Sequence, residues 1–165
     1  MSVGSFRVRM ADGGDLAEVV ALERRIAEAP HWAEAEYAAI ANVDGSADVA
    51  VRRCLFVAEA EGRVLGFAVG KVIRSGADGV GELESVAVDG AARRMGIGRT
   101  LSGAVFAWCR GQSATVVELE VRAGSGGAIA LYSGLGFVVT GLRGGYYQRP
   151  VEDAVLMRLD LAEDE

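Results

Sequence analysis

Residues 93 to 99 read Arg-Arg-Met-Gly-Ile-Gly-Arg, placing three cations and two glycines in one short segment. Glycine lets a backbone turn tightly and gather its N–H groups at one point, and the start of a helix adds a field that favours an anion. Arg93, Arg94, Met95, Gly96, Ile97, Gly98 and Arg99 therefore form a candidate loop for a phosphate or pyrophosphate, against the plainer reading of a turn with solvated arginines. Spacing removes two nucleotide-binding alternatives. A dinucleotide fingerprint needs a third glycine where Arg99, Thr100 and Leu101 stand, and the Gly-Lys-Ser/Thr of a Walker loop is absent.

Carboxylates lie on either side of this loop. Glu84 precedes it on a β-rich run. Beyond it, Glu118, Glu120 and Arg122 alternate along another run and so share one face of a strand. Glu120 reads either as a general base or as a solvated glutamate paired with Arg122. Tyr132 shares a helical face with Ala128 and Leu135, as a core tyrosine would. Cys54 and Cys109 each have an apolar neighbour and read as buried free thiols. With His31 as the single histidine, no zinc pattern is present and no metal is expected.

The elements that must carry these residues follow from periodicity. Phe6 to Met10 alternates as a strand and ends at Asp12-Gly13-Gly14. Asp15 with Glu18 resembles a capping box for a helix through Leu16, Val19, Val20 and Ile26, stopped by Pro30. A second short helix spans about 33–41, with Tyr37 and Ile40 on one face, and a loop runs through residues 42–46. Cys54 to Ala60 and Val64 to Ile73 form a hairpin about Glu61-Gly62, and Glu82 to Val88 is a third strand. A helix with Leu101, Ala104, Val105 and Trp108 inward follows the basic loop. Then come a strand over 116–121, a helix over 127–135, and strands over 137–140 and 154–159. This order, β, αα, βββ, αβαββ, predicts an α/β domain with one mixed central sheet and helices on both faces. Many of the 23 glycines fall at the turns.

At 165 residues the chain is expected to be a single domain over 1–165, with its core over about 6–160. A net charge of −6 argues against a nucleic-acid partner. No apolar run reaches the roughly 20 residues of a membrane span, and none at the N-terminus resembles a signal peptide. A cytoplasmic protein with no membrane partner, as a monomer or weak dimer, is the expectation.

Arg93-x-x-Gly96-x-Gly98, following a strand that ends Val86-Ala87-Val88-Asp89, resembles the coenzyme A loop of the GCN-five-related N-acetyltransferase (GNAT) superfamily. The likeness sharpens downstream. Leu119-Glu120-Val121-Arg122-Ala123, Ala128-Ile129-Ala130-Leu131-Tyr132, Leu135-Gly136-Phe137, Arg143-Gly144-Gly145-Tyr146-Tyr147 and Glu152 to Met157 look like the RimI subfamily of protein N-terminal acetyltransferases. The resemblance is close over 82–159 and loose before that.

It implies a single GNAT-type domain that takes acetyl coenzyme A as co-substrate, without a metal. The acetyl group passes by direct attack to the α-amine of a protein N-terminus, in the family the N-terminal alanine of a small-subunit ribosomal protein. It implies Glu120 as base and Tyr132 as the acid that protonates the leaving thiolate. Glu84 is a rival base, since some GNAT enzymes keep theirs on that strand. The backbone of Val86, Ala87 and Val88 would receive the pantetheine arm, and Arg93 to Arg99 the pyrophosphate. Trp32, in a Pro30-His31-Trp32 corner, and the aromatic pair Tyr146 and Tyr147, expected on a loop, would receive the acceptor peptide.

One departure stands out. The subfamily's usual Ser-Asn after Arg-Ala is here Gly124-Ser125, which leaves Ser125 as the cofactor contact in a loop expected to be more mobile. Two alternatives follow: a GNAT enzyme acting on a small-molecule amine or a lysine side chain, and a catalytically degenerate coenzyme A-binding interaction module.

Overall fold

The computed structural model describes residues 5–26, 31–41, 50–148 and 151–161. Pro30 and the expected loop over 42–46 lie outside the described residues. Seven strands form one sheet: β1 (Arg7–Met10), β2 (Val51–Ala60), β3 (Arg63–Ser75), β4 (Asp78–Val88), β5 (Ala114–Arg122), β6 (Val138–Tyr147) and β7 (Glu152–Asp160). Their order is β1-β2-β3-β4-β5-β7-β6, antiparallel throughout except for the parallel pair β4–β5. Four helices, α1 (Leu16–Arg25), α2 (Glu34–Ala41), α3 (Ile97–Gly111) and α4 (Gly126–Gly134), complete the described fold.

Strand alternation assigns the two faces. Leu55, Val57, Phe67 and Val69 point to one side, where they pack with Val19 and Leu22 of α1 and Tyr37 and Ile40 of α2. Cys54, Ala58, Ala68 and Val72 point to the other, against Ile97, Leu101, Val105 and Cys109 of α3 and Tyr132 of α4. The mixed sheet has helices on both faces, as the periodicity predicts. Cys54 and Cys109 are buried free thiols, also as expected.

Several glycines serve the strands rather than the turns. A Cβ at Gly70 would stand 2.6 Å from Val105 Cγ1 and 3.0 Å from Cys54 Sγ, and one at Gly66 would stand 2.8 Å from the Ala87 carbonyl. Bare backbone on β3 lets α3 lie close against the sheet.

Two local expectations are corrected. Asp15 and Glu18 form no capping box. The box is made one turn earlier, where Asp12 accepts from Gly14 N and Asp15 accepts from Asp12 N, each at 2.8 Å. Arg9 grips both oxygens of Asp15 at 2.8 Å, and Glu18 instead accepts from Val64 N at 2.8 Å. With both oxygens held by Arg9 and one also by Asp12 N, the Asp15 carboxylate makes no cap bond to α1. The second correction concerns β6, which runs to Tyr147 and far beyond the expected residue 140. Its glycines hide it in the sequence, but the ladder with β7 holds it through two register irregularities. Tyr146 and Tyr147 therefore end a strand.

The feature that shapes the molecule is a bulge at Glu84. β3 pairs Val69 with Ser85 and Gly70 with Leu83, which leaves Glu84 as an extra residue. Side-chain direction changes parity there: Leu83 and Val86, three apart, both meet the α3 side. Pairing of β4 with β5 also stops there, extending only from Gly79 to Glu82 on β4.

Gly70→Val should destabilise the protein by about 1–3 kcal/mol through overpacking. Gly103→Ala, at an exposed α3 position where a Cβ meets nothing, should stabilise it by roughly 0.5–1 kcal/mol. Urea denaturation of both variants checks the pair.

Candidate active site

Past Glu82 and Glu118, β4 stays with β3 and β5 stays with β7, so the two strands part. A cleft of ≈ 670 Å³ opens between them, lined by residues 83–86 of β4, residues 119–122 of β5, Ser125, Ala128 and Tyr132 around α4, and Tyr146 and Tyr147. Backbone N–H and C=O groups along the parted edges have lost their ladder partners and are available to a ligand. Val86 lines the cleft. Ala87 and Val88 continue the same edge toward the basic loop, Ala87 buried on the α1–α2 side and Val88 packed toward α3.

The basic loop sits at the end of that edge. Gly96 caps α3 with φ 81°, a left-handed conformation suited to glycine, and Arg94 also has positive φ at 69°. The first amides of α3, those of Ile97, Gly98 and Arg99, lack intrahelical acceptors. Arg93, Arg94 and Arg99 are exposed and form no ion pair among the described residues. Ile97 is buried and Met95 packs against the core, which anchors the loop from below. A Cβ at Gly98 would lie 3.4 Å from Leu131. Three unengaged guanidinium groups beside free helix-terminal amides match the chemistry of a pyrophosphate.

Glu120 and Tyr132 both line the cleft. Glu120 is not paired with Arg122: its Oε1 lies 3.3 Å from Arg143 Nη1, and Arg122 instead pairs with Glu152 at 3.4 Å. The Glu120 carboxylate beside the Tyr146 phenol, together with burial, raises the Tyr146 pKa. The Tyr147 phenol is also raised, by burial first and then by the Glu120 charge, and its ring lies 4.3 Å from the Arg122 guanidinium. Tyr132 is buried edge-on to Phe137, with ring centroids 5.9 Å apart. Burial pushes its phenol up to about 12, so it stays an O–H donor at neutral pH.

A profile of the Acetyltransferase (GNAT) family matches residues 17–137, well over half of the sequence. The chain belongs to the GNAT acetyltransferase family. It is 42% identical over 79 residues to the N-alpha-acetyltransferase RimI of Mycobacterium tuberculosis, a match covering 48% of each protein, so the chain spans about half the length of that relative. It is 34% identical over 103 residues to the ribosomal protein bS18 alanine N-acetyltransferase of Escherichia coli, covering 61% of this chain and 67% of that one. The crystal structure of the E. coli ribosomal-protein alanine N-acetyltransferase superposes with a TM-score of 0.77 at 27% identity, over 98% of this chain and 97% of the other. A GNAT acetyltransferase from Streptococcus pneumoniae shares the fold at a TM-score of 0.79 and 20% identity, covering 96% of this chain and all 100% of that one.

Within this GNAT domain three further residues have definite places. Glu84, at the bulge, lines the cleft but is held at both oxygens: Oε2 lies 2.9 Å from Arg53 Nε and Oε1 lies 3.6 Å from Lys71 Nζ, and its side chain is 12% exposed. Trp32 is not brought to the cleft wall. It packs 5.5 Å from the Tyr37 ring and under the Arg53 guanidinium at 4.9 Å, behind Glu84. His31 sits 3.4 Å from the buried Glu23.

Ser125 lines the cleft, and its hydroxyl caps nothing in α4. The glycine before it has a definite reason. Gly124 N donates to Glu152, and a Cβ there would come within 2.5 Å of that carboxylate. The loop expected to be mobile is tied down at Gly124. Among the described residues no cluster of His, Cys, Asp or Glu suits a metal, and no helix is long and apolar enough to cross a membrane.

The buried phenol gives a direct test. The tyrosinate absorbance lost in Tyr132→Phe should come from a group titrating near pH 12, above the unfolded value of 10.0. A raised folded pKa means that this burial stabilises fully below about pH 10 and that the gain is lost as pH rises toward 12. A lost increment centred at the unperturbed value would show an exposed ring.

Proposed function

We propose that the chain is a protein N-α-acetyltransferase that moves the acetyl group of acetyl coenzyme A to the α-amine of a protein N-terminus, with the N-terminal alanine of a ribosomal protein as its acceptor. The observation that carries this reading is the parted β4–β5 edge, which brings Glu120, Tyr132 and an aromatic pair around one cleft beside an unengaged arginine loop. The relatives named for RimI and for ribosomal-protein alanine acetylation support the choice of acceptor.

Acetyl coenzyme A, when bound, supplies an activated thioester. The amides of Ile97, Gly98 and Arg99 and the side chains of Arg93, Arg94 and Arg99 would hold its pyrophosphate. The open backbone of Val86, Ala87 and Val88 would take the pantetheine arm, and Ser125 would offer a hydroxyl from the opposite side. Tyr146 and Tyr147 would flank the acceptor peptide.

Glu120 accepts the acceptor's proton. A protein α-amine has a pKa of roughly 7.7–8.0, so a modest base suffices. Glu84 is the weaker candidate because two cations hold its oxygens, whereas the Glu120 side chain is 27% exposed with one ion pair. Tyr132, neutral at physiological pH, holds the proton that a leaving thiolate requires. No covalent attachment to the protein is needed, and neither cysteine lines the cleft. Aromatic walls beside Glu120 favour a peptide over a small amine, and retention of both Glu120 and Tyr132 speaks against a degenerate binding module.

A peptide beginning with alanine should be acetylated far faster than the same peptide blocked at its N-terminus but bearing free lysines, as read by mass spectrometry. With the alanine peptide, Glu120→Gln should lose most turnover at low pH, where acceptor amines are protonated, and recover partly as pH rises. Tyr132→Phe should slow transfer by roughly 10²–10⁴-fold. Preferential modification of the blocked peptide would refute the N-terminal acceptor, and wild-type rates in both variants would remove these residues from the mechanism.

A further inference from the structure

Glu120 stands between two cavities. Besides the cleft, a cavity of ≈ 330 Å³ lies along β5, β7 and β6, and the two share Leu119 and Glu120. Tyr146 lines the cleft, whereas Arg143 lines the second cavity. Arg143 reaches Glu120 diagonally across β7: Glu120 is the register partner of Leu156, and Arg143 that of Ala154. Its Nη1 lies 3.3 Å from Glu120 Oε1, and its guanidinium lies 5.4 Å from the Tyr146 ring, whose phenol is itself influenced by the same carboxylate. The three side chains thus form a closed set. A glutamate that projects alone from a strand turns freely about its side-chain bonds. This one is held by the Arg143 cation, with the Tyr146 ring stacked against that guanidinium.

We infer that Arg143 is a positioning residue for acceptor deprotonation, holding the Glu120 carboxylate from the second cavity so that the acceptor amine meets it from the cleft. The inference rests on the proposed reading of Glu120 as base. It requires the charge of Arg143 and not merely its bulk. Because Arg143 is 56% exposed, the pair is also open to screening by salt.

Arg143→Met removes the charge and keeps most of the stem, and Arg143→Lys keeps the charge. At saturating acetyl coenzyme A and alanine peptide, the Met variant should lose on the order of 10- to 100-fold in kcat, as expected when a reacting group is misplaced. The Lys variant should recover part of that loss. Both should keep the wild-type KM for acetyl coenzyme A and its stabilising shift in Tm, which reports an intact fold and cofactor site. Added sodium chloride should lower wild-type kcat toward that of the Met variant while leaving the Met variant flat. Wild-type kcat in the Met variant, a Lys variant no better than Met, or equal salt dependence of wild type and Met variant would each overturn the inference. Glu120→Gln in the same assay separates the two readings. If it too keeps full turnover, the base assignment fails; if it is impaired while Arg143→Met is not, only the role of Arg143 fails.

Discussion

One constraint governs this structure: two neighbouring strands of a single sheet cannot both follow their partners and stay together. β4 carries an extra residue at Glu84 and stays paired with β3 through a shift of register, while β5 keeps its register with β7 as far as Arg122. The bond between β4 and β5 is the one that gives way. Unpaired backbone inside a fold is costly unless something satisfies it. A cleft edged by such backbone is therefore suited to a ligand that brings its own amides, such as a pantetheine arm. The other parts of the site are arranged around that gap: α3 begins at one end of it, α4 covers one side, and the β6 terminus closes the other.

Packing makes the arrangement stiff. Glycines on β3 let α3 settle close to the sheet, so the helix start that carries the arginine loop is fixed to the strands that part. Electrostatics then distinguish the two cleft carboxylates. Glu84 is neutralised by Arg53 and Lys71, with Trp32 stacked behind Arg53, while Glu120 is steadied by one cation and keeps access to the cleft. Tyr132 contributes through burial: a phenol kept from ionising keeps its proton for donation.

Much of this was legible in the sequence. Strand alternation and helical spacing yield the element order and both core faces, because those signals are local and repeat along the chain. The arginine–glycine loop declares itself by composition, and the resemblance to GNAT acetyltransferases brings Glu120 and Tyr132 forward. What was hidden depends on distant partners. The bulge at Glu84 leaves only a parity change between Leu83 and Val86, visible once the packing of each is known. β6 carries Gly141, Gly144 and Gly145, which weaken its strand signal, and the ladder with β7 supplies what propensity does not. Glu120 has an arginine two residues away on its own strand, yet pairs with one on β6, because a neighbouring strand brings Arg143 across. Gly124 looked like a loosened loop until Glu152 was seen to occupy the space of its side chain.

The central claim is that the parted edges of β4 and β5 are the site where acetyl coenzyme A is held. Amide hydrogen exchange, followed with and without acetyl coenzyme A, tests it at the backbone itself. Segments 83–88 and 119–122 should exchange faster than the paired segment 79–82, and adding acetyl coenzyme A should slow 83–88 and the start of α3 most. Unchanged exchange in 83–88 under saturating acetyl coenzyme A, with protection appearing elsewhere, would contradict the account.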